Sequence, residues 1–508
     1  MSSKIFSAAT LGLEAQLVEV EADYGSGGEG GKTTIVGLPD AAVQESKMRV
    51  WSAIKNTGME FPRFHTTVNL APADLKKQGP AYDLPIALSI LLAAGKISDS
   101  VDLKKSLFIG ELALNGILRP VNGVLPITLM AKEKGFEKIF VPAGNSQEAS
   151  LIPGIKVLAS ESLSELILFL KNKIDLKEIE ASSIDLNKEQ EYSFDFAYIK
   201  GQENVKRALE IAAAGAHNIL MSGPPGSGKT LLARATPSIL PGLTLDESLE
   251  VTKIYSVAGL LPADKPLITE RPYRSPHHTA SGVALVGGGA WPKPGEISLA
   301  HRGVLFLDEF PEFPRTVLEN LRQPLEDGVV AISRAQGTLR FPAKFILMAA
   351  MNPCPCGYAT HPEKNCTCSP AQILNYQKKI SGPLLDRIDL HIEVPQVEFD
   401  KLTSDQFSEK SESIRQRVQK ARNFQLQRFK DEKIITNAEM SSELVKKYCH
   451  VDEKTVELLK QAVNNLHLSA RSYFRILKLA RTIADLAGQE AVKMEFVAEA
   501  LQYRPKVE

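Results

Sequence analysis

The sequence predicts an α/β protein with an all-helical bundle at its C-terminal end. Residues 1–170 alternate short runs rich in β-branched residues with helical stretches. After residue 194, fully apolar runs of four to seven residues are typical of buried parallel strands. Residues 437–504 carry amphipathic helix patterns and no strand pattern. We therefore expect one α/β domain, a second α/β domain with a parallel sheet, and an all-α domain.

Charge and composition limit the classes of function. The 508 residues include 60 basic and 60 acidic side chains, so any nucleic-acid contact must come from a local lining. Apolar runs stay below the roughly 20 residues of a membrane helix, and no signal-peptide pattern is present. Five cysteines are too few for a disulfide framework in a chain of this length. We expect a reduced, cytoplasmic protein with no membrane contact.

The first domain is expected to contain alternating strands and helices. Its predicted strands are 16–21, 33–36, 65–70, 108–112 and 138–141, and its predicted helices are 40–57, 83–94 and a segment between the last two strands. Residues 30–33 read Gly-Gly-Lys-Thr and imitate a phosphate loop, but Ser26 stands where the leading glycine belongs and a strand pattern follows. We interpret these residues as the tip of a hairpin. Residues 171–193 are charged and sparse in apolar residues, which predicts a linker.

A phosphate-binding loop is predicted in the second domain. The eight residues from 223 to 230 fit G-x-x-x-x-G-K-T and are Gly223, Pro224, Pro225, Gly226, Ser227, Gly228, Lys229 and Thr230. A strand pattern precedes them and a helix pattern follows, as such a loop requires. The loop N–H groups and the helix dipole would hold a phosphate, Lys229 would reach the β- and γ-phosphates, and Thr230 would ligate Mg²⁺.

Polar side chains follow two later strand patterns. Asp308 and Glu309 come directly after the apolar run 303–307, at the strand end where ligands bind in open α/β sheets. Asp308 is expected to hold Mg²⁺ and Glu309 to polarise the attacking water. Asn352 ends the apolar run 345–351 and either orients that water or is simply the start of an Asn-Pro turn.

Several arginines have two open interpretations. Arg387 is either an arginine finger for a neighbouring subunit or part of an Asp–Arg surface pair. The polar helix 405–433 carries six basic residues, and we prefer a solvated face to a nucleic-acid contact. In the segment 469–486, Arg471, Arg475 and Arg481 either cover apolar surface with their stems or supply one group that faces nucleotide.

Four of the five cysteines fall within fifteen residues, as two C-x-C pairs. Cys354, Cys356, Cys366 and Cys368 either form a structural zinc site or are reduced thiols on a long loop. The adjacent residues His277 and His278 would point in opposite directions on a strand, so they are not predicted to be ligands.

These motifs together resemble the AAA+ ATPases of the magnesium-chelatase and MCM-helicase branch, and more closely the YifB/ComM family of magnesium chelatase-like ATPases. The resemblance covers essentially the whole chain. Its most specific stretches are Arg274-Ser275-Pro276-His277-His278, 286–289, 294–301, 352–357, 381–389 and 480–486.

The resemblance implies roles and boundaries. Lys229 and Thr230 would belong to Walker A, Asp308 and Glu309 to Walker B, Asn352 would be sensor 1, Arg387 the arginine finger and Arg471 sensor 2. The implied domains are a Lon-protease-like domain (1–170), a linker (171–193), a P-loop AAA+ parallel-sheet core (194–400), a connecting helix (401–433) and a helical lid (434–508). ATP and Mg²⁺ would be bound between the subunits of a homo-hexamer.

Two inserts are implied to face the pore of that ring. They are a helix-2 insert at 275–296 and a pre-sensor-1 hairpin at 329–342. Trp291, Lys293, Arg334 and Arg340 would touch a DNA backbone there, or would instead only pack within the inserts.

The first domain resembles the proteolytic domain of Lon without its catalytic pair. Gly79-Pro80-Ala81 lacks the nucleophilic hydroxyl, and Ile127 stands where the family has its lysine. We expect an inactive protease fold, because covalent catalysis has no starting point.

The function implied is ATP-driven translocation on single-stranded or branched DNA, as a helicase or branch-migration motor in recombination or natural transformation. The alternative is a protein-remodelling motor of the magnesium-chelatase type, although no acidic linker or integrin-like domain is visible in the chain.

Overall fold

The chain folds into two compact units. The computed structural model describes residues 3–25, 33–61, 65–97, 103–180, 192–262, 264–289, 291–334, 337–361, 363–397, 408–465 and 468–504. Unit 1 comprises 1–185 with 248–268, and unit 2 comprises 186–247 with 269–508. The finer boundaries at 170, 193, 400 and 433 stay a prediction.

Unit 1 is built on a mixed eight-stranded sheet. Its strands are β1 (Ser3–Leu11), β2 (Glu14–Tyr24), β3 (Thr33–Val36), β4 (Thr66–Ala71), β5 (Ser106–Phe108), β8 (Lys138–Pro142), β9 (Lys156–Ser160) and β10 (Glu178–Ile179), in the order β10-β9-β8-β5-β1-β2-β4-β3. A separate small hairpin pairs β6 (Glu111–Leu112) with β7 (Leu118–Arg119). The helices are α1 (Ala41–Asn56), α2 (Asp83–Ala93), α3 (Val124–Glu133), α4 (Ser146–Ala149), α5 (Leu163–Leu170) and most of α8 (Leu245–Ala258).

The predicted strands 16–21, 33–36, 65–70 and 138–141 and the predicted helices of this unit are confirmed, but two predictions are wrong. Residues 108–112 do not form one strand, because β5 ends at Phe108 and Glu111–Leu112 pair with β7 in the separate hairpin. β2 and β3 do not form a hairpin, because β4 lies between them, antiparallel to β2 and parallel to β3. Of residues 30–33, predicted as the hairpin tip, 30–32 lie outside the described residues and Thr33 begins β3. Helix α2 is buried on nearly all sides, which explains why its sequence is apolar without an amphipathic period.

The Gly79-Pro80-Ala81 segment forms the turn that starts α2. Gly79 has φ +77°, and Pro80–Tyr82 make one 3₁₀ turn before the helix begins. Ile127 is buried in α3. The side chains of Ala81 and Ile127 carry neither hydroxyl nor amine, so the proteolytic inactivity of this unit stays our expectation.

Unit 2 is built on a five-stranded parallel sheet. The strands are β11 (Ile219–Ser222), β12 (Tyr273–Arg274), β15 (Val304–Leu307), β18 (Ile346–Met351) and β19 (Leu390–Glu393), in the order β12-β15-β18-β11-β19. All neighbours pair in parallel, so their carboxyl ends meet at one edge. The buried parallel strands predicted at 303–307 and 345–351 are confirmed.

Two short antiparallel ribbons and the helices complete unit 2. The ribbons pair β13 (Gly287–Gly288) with β14 (Lys293–Pro294), and β16 (Val329–Arg334) with β17 (Gly337–Pro342). The helices are α6 (Glu203–Gly215), α7 (Lys229–Ala235), α9 (Gly282–Val286), α10 (Glu296–Leu299), α11 (Arg315–Glu319), α12 (Arg322–Asp327), α13 (Pro370–Gln377), α14 (Gly382–Leu385), α15 (Ser411–Arg428), α16 (Ser442–Tyr448), α17 (Glu453–Asn465), α18 (Ala470–Leu486) and α19 (Met494–Gln502). Within the described residues, no helix has both the length and the apolar character needed to cross a bilayer.

The solvated-face interpretation of the polar helix is wrong for two arginines of α15. Arg422 is 5% exposed and donates to the carbonyls of Ala213 and Ala214 at the end of α6. Arg428 donates to Asp485 of α18 at 2.9 Å. Both side chains therefore tie α15 to its own unit.

Asp485 is a buried carboxylate whose removal is expected to destabilise unit 2. It is 3% exposed and accepts from Arg428, from Arg481 (3.1 Å) and from Asn437 (2.8 Å). Asp485→Ala would leave two guanidinium groups without their carboxylate, at a cost of about 3–5 kcal/mol. We expect a lower urea midpoint. Glu457→Ala, at an exposed site on α17, is the control and should leave the midpoint unchanged; equal midpoints for both variants would contradict the prediction.

Candidate active site

The phosphate-loop sequence lies between strand β11, an interior strand of the sheet, and helix α7. Gly226 and Gly228 have φ of +76° and +86°, in the left-handed region that favours glycine. A Cβ on Gly223 would lie 2.2 Å from the carbonyl oxygen of Val394, so only glycine fits there. The predicted strand–loop–helix context is confirmed, and the loop stands at the carboxyl edge of the sheet.

Lys229 is held over the loop by backbone oxygens. Its Nζ donates to the carbonyls of Gly223 (2.7 Å) and Pro224 (2.9 Å) and lies 3.4 Å from Oδ1 of Asn352. The side chain is buried, and burial lowers the pKa of its ammonium group. The structure thus brings the predicted Walker A lysine to the predicted sensor 1 amide.

The predicted magnesium ligands are in direct contact. Thr230 Oγ1 donates to Asp308 Oδ2 at 2.7 Å, and the N–H of Glu309 donates to the other carboxylate oxygen of Asp308 at 2.9 Å. Hydroxyl and carboxylate oxygens are the ligand types that Mg²⁺ prefers. The residues present therefore fit a magnesium ion beside the phosphate loop.

Glu309 has a partner that the sequence analysis missed. Its carboxylate Oε2 lies 3.0 Å from Nδ1 of His278, and its backbone has φ +51°, which is uncommon for a residue with a side chain. His278 follows β12, the parallel neighbour of β15, so the two strand ends bring the pair together. The parallel order of the two strands was the missing information.

Arg387 and Arg471 meet at one carboxylate on α12. Arg387 is 6% exposed, donates to the carbonyl of Pro383 at 2.6 Å and is ion-paired with Glu326. Arg471 Nη2 lies 3.2 Å from the other oxygen of Glu326. The Asp–Arg surface pair considered for Arg387 is wrong, because the arginine is buried and its partner is a glutamate. The hydrogen bond from Arg387 lowers the pKa of Glu326 most, and the positive charges of Arg387 and Arg471 lower it further.

The other two arginines of α18 hold the unit together. Arg475 donates to Asp389 at 2.6 Å, and Arg481 is 2% exposed and pairs with Asp485. Of the three candidates on this helix, Arg471 is the most exposed one, and it remains the proposed sensor 2.

The two predicted inserts lie beside each other. The hairpin prediction at 329–342 is confirmed by the β16–β17 ladder, and Arg274 closes the ends of the other insert by bonding to both carboxylate oxygens of Glu296 at 2.6 and 2.7 Å. A Cβ on Gly287 would lie 3.2 Å from Cδ1 of Ile332 in β16, so β13 packs directly on the hairpin.

The candidate DNA contacts within these inserts differ in exposure. Lys293 and Arg340 are exposed, whereas Trp291 is half-buried. The side chain of Arg334 lies outside the described residues. Exposed cations on both inserts are thus available to a ligand at this surface.

The four clustered cysteines converge immediately after Asn352. The Sγ atoms of Cys354, Cys356, Cys366 and Cys368 all lie within 4.8 Å of one another. Backbone N–H groups of Tyr358 and Thr367 donate to Cys356 and lower the pKa of its thiol. The arrangement is compatible with a structural zinc ion.

Comparison with known proteins defines the class. Residues 195–402 match the family model described as "Magnesium chelatase, subunit ChlI", residues 18–145 match "Subunit ChlI of Mg-chelatase", and residues 408–504 match "Magnesium chelatase, subunit ChlI C-terminal". The fold and these three matches place the chain among magnesium chelatase-like AAA+ proteins.

Full-length relatives define the family within that class. Competence protein ComM of Haemophilus influenzae is 44% identical over 99% of this chain and 97% of its own length. YifB of Escherichia coli, an uncharacterized protein, is 42% identical over 99% and 97%. Lon protease 2 of Bacillus subtilis is 25% identical over 30% of this chain and 29% of its own length. The chain belongs to the YifB/ComM family of magnesium chelatase-like AAA+ ATPases.

Proposed function

We propose that this protein is a ring-forming ATP hydrolase that uses ATP and Mg²⁺ and moves along DNA. The observation that carries the ATPase part is the contact of Thr230 with Asp308 beside a buried Lys229. Family membership supports ATP hydrolysis and oligomer formation. The ring of six, the zinc ion and the DNA are parts of the proposal.

The site residues divide the chemistry among themselves. The loop N–H groups and Lys229 hold the β- and γ-phosphates, and Thr230 and Asp308 hold a Mg²⁺ ion, which neutralises charge on the phosphoryl group when bound. Glu309 polarises the attacking water and Asn352 orients it. His278 holds the Glu309 carboxylate in place at 3.0 Å.

Arg387 and Arg471 are proposed to act on the nucleotide of a neighbouring subunit. Among the described residues, their side-chain contacts run to Glu326 and to the carbonyl of Pro383, and none runs to Lys229 or Asp308. A guanidinium that stabilises the transferring phosphoryl group is commonly supplied by a second protein surface. In this account Glu326 holds both arginines until the neighbour's nucleotide replaces it.

DNA is the proposed polymer because of the paired inserts. Exposed Lys293 and Arg340 lie on two ribbons in contact with each other, so repeated around a ring they would line one opening with positive charge. One relative carries the name competence protein, which agrees with the proposed role in natural transformation. The proposed activity is branch migration or helicase movement.

The test is strand movement on a Holliday junction and on a forked duplex with ATP. We expect movement by wild type and at least about a tenfold loss for the double variant Lys293→Ala, Arg340→Ala, because phosphate contacts give most of the affinity. The control removes two exposed lysines of unit 1, Lys105 and Lys156. The DNA proposal would be wrong if wild type hydrolysed ATP at a rate that no DNA stimulates and moved no strand.

A protein-remodelling motor is the second candidate, because the family model over residues 195–402 is that of a magnesium-chelatase subunit. Affinity capture of the full chain that enriched a magnesium- or cobalt-chelatase subunit, together with no response to DNA, would favour it.

A further inference from the structure

The four cysteines of the loop after β18 have the spacing of a metal site. Cys354 Sγ lies 3.3 Å from Cys356 Sγ and 3.7 Å from Cys366 Sγ, and Cys356 and Cys366 are 3.5 Å apart. A tetrahedron with Zn–S bonds of about 2.3 Å has edges of about 3.8 Å. A disulfide would need about 2.05 Å. The sulfur separations therefore match thiolates around one ion and not a sulfur–sulfur bond.

Backbone N–H groups supply the second layer of such a site. The N–H of Cys356 points to Cys368 Sγ at 3.4 Å, and the N–H groups of Tyr358 and Thr367 donate to Cys356. These bonds orient metal-ligating sulfurs and offset their negative charge. Cys354 is fully buried while the other three are partly exposed, so the ion would enter from the solvent side.

The cysteine loop packs directly on the phosphate loop. Gly357, next to Cys356, has φ +84°, and a Cβ there would lie 2.6 Å from Cδ of Pro225 and 2.7 Å from its Cγ. Its position is fixed by a turn in which the Gly357 N–H donates to the Cys354 carbonyl at 3.0 Å. The turn from Cys354 to Gly357 therefore packs against Pro225 and forms one wall of the phosphate-binding site.

The far end of the cysteine loop returns to Asn352. Ser369, directly after Cys368, caps α13 with a reciprocal capping box. Tyr376 near the end of that helix accepts from the backbone N–H of Asn352, and burial raises the pKa of its hydroxyl to about 12. The hydrogen bond between Asn352 and Tyr376 thus joins the two ends of this segment, and the cysteine cluster joins two parts of the chain between them.

We propose that Cys354, Cys356, Cys366 and Cys368 bind one zinc ion, and that this ion fixes the wall formed by Gly357 so that Pro225 and Asn352 keep their nucleotide-binding positions. Without the ion, the four thiols would lie close together with no covalent bond between them, and the two C-x-C pairs would lose the link that the ion provides. The part concerning nucleotide rests on the proposed ATPase function; the metal site does not.

The first measurement is the metal content of the full-length protein. We expect about one zinc per chain and no iron, and loss of the zinc in the double variant Cys366→Ser, Cys368→Ser. Cys449→Ala is the matched control, since the fifth cysteine lies buried in the helical core away from the cluster. Cobalt substituted for zinc should give the visible absorption of tetrahedral thiolate coordination. Wild type without metal, or with iron in place of zinc, would overturn the site.

The second measurement asks whether the ion supports the phosphate loop. On chelation of wild type, we expect amide hydrogen exchange in residues 223–228 to rise at least about fivefold and affinity for a fluorescent ADP analogue to fall about tenfold, both restored by added zinc. The variant Gly357→Ala should still bind zinc but should have a lower affinity for the ADP analogue, because the added Cβ would collide with Pro225. Unchanged exchange and affinity after zinc loss would overturn the supporting role.

Failure of the proposed ATPase is distinguishable from failure of this inference. A wild type that binds zinc but no nucleotide would end the ATPase proposal. The hydrogen-exchange response of the phosphate loop would then still decide whether the ion supports it.

Discussion

Glu309→Gln is expected to lower the rate of ATP hydrolysis by about 10²–10⁴-fold while ATP still binds. The amide keeps the size and the hydrogen-bonding reach of the side chain but cannot polarise water as a carboxylate does. Binding should persist, because Lys229, Thr230 and Asp308 make the phosphate and Mg²⁺ contacts of the proposal. The measurement is single-turnover hydrolysis with binding of a fluorescent ATP analogue determined in parallel.

The control for Glu309 is Glu312→Gln. Glu312 lies three residues further along, is 44% exposed and pairs with Lys379. Its replacement should leave turnover within about twofold of wild type. Hydrolysis by Glu309→Gln at the wild-type rate would show that the water is activated by another group.

Arg387→Ala is expected to lower ATP turnover by about 10³-fold or more, the range found for an arginine that stabilises the transferring phosphoryl group. The position of Arg387 also allows a test that distinguishes action on a neighbouring subunit from action within its own subunit. Because Arg387 pairs with Glu326 and not with its own phosphate loop, its loss should be complemented by a neighbour.

Mixing two inactive variants tests that complementation. Lys229→Ala subunits keep Arg387, and Arg387→Ala subunits keep Lys229, so a mixed ring contains complete sites at some interfaces. We expect turnover to reappear on mixing. Arg322→Ala, which removes a 42% exposed arginine of the same helix as Glu326, should be active alone. A mixture that stays inactive, although its subunits exchange, would place the action of Arg387 within its own subunit.

The local parts of the candidate site could be predicted from the sequence. The phosphate loop, the strand before Asp308 and the strand before Asn352 carry their signals within ten residues, as glycine spacing and apolar runs. Parallel pairing then forces their ends together, and the structure shows Lys229, Asp308 and Asn352 at one edge of the sheet.

Contacts between distant segments could not be predicted in this way. Glu326 lies 61 residues from Arg387, and nothing in the periodicity of α12 indicates that this carboxylate receives two arginines. His278 was set aside because adjacent residues on a strand point apart, but the strand ends at Arg274 and the histidine lies beyond it. The predicted β2–β3 hairpin is also wrong because of a distant segment. Strand β4, which begins 30 residues after β3 ends, pairs with both strands and separates them.

The most direct measurement of the central claim is steady-state ATP turnover by wild type, Lys229→Ala and Lys32→Ala, with and without branched DNA. The two lysines occupy similar Gly-Lys-Thr sequences, but Lys229 follows the buried strand β11 and begins helix α7, whereas Thr33, the residue after Lys32, begins strand β3. We expect DNA-stimulated turnover in wild type and in Lys32→Ala, and at least about a 100-fold loss in Lys229→Ala, because a cation at the phosphates is missing. Turnover by Lys229→Ala equal to that of wild type would contradict the account.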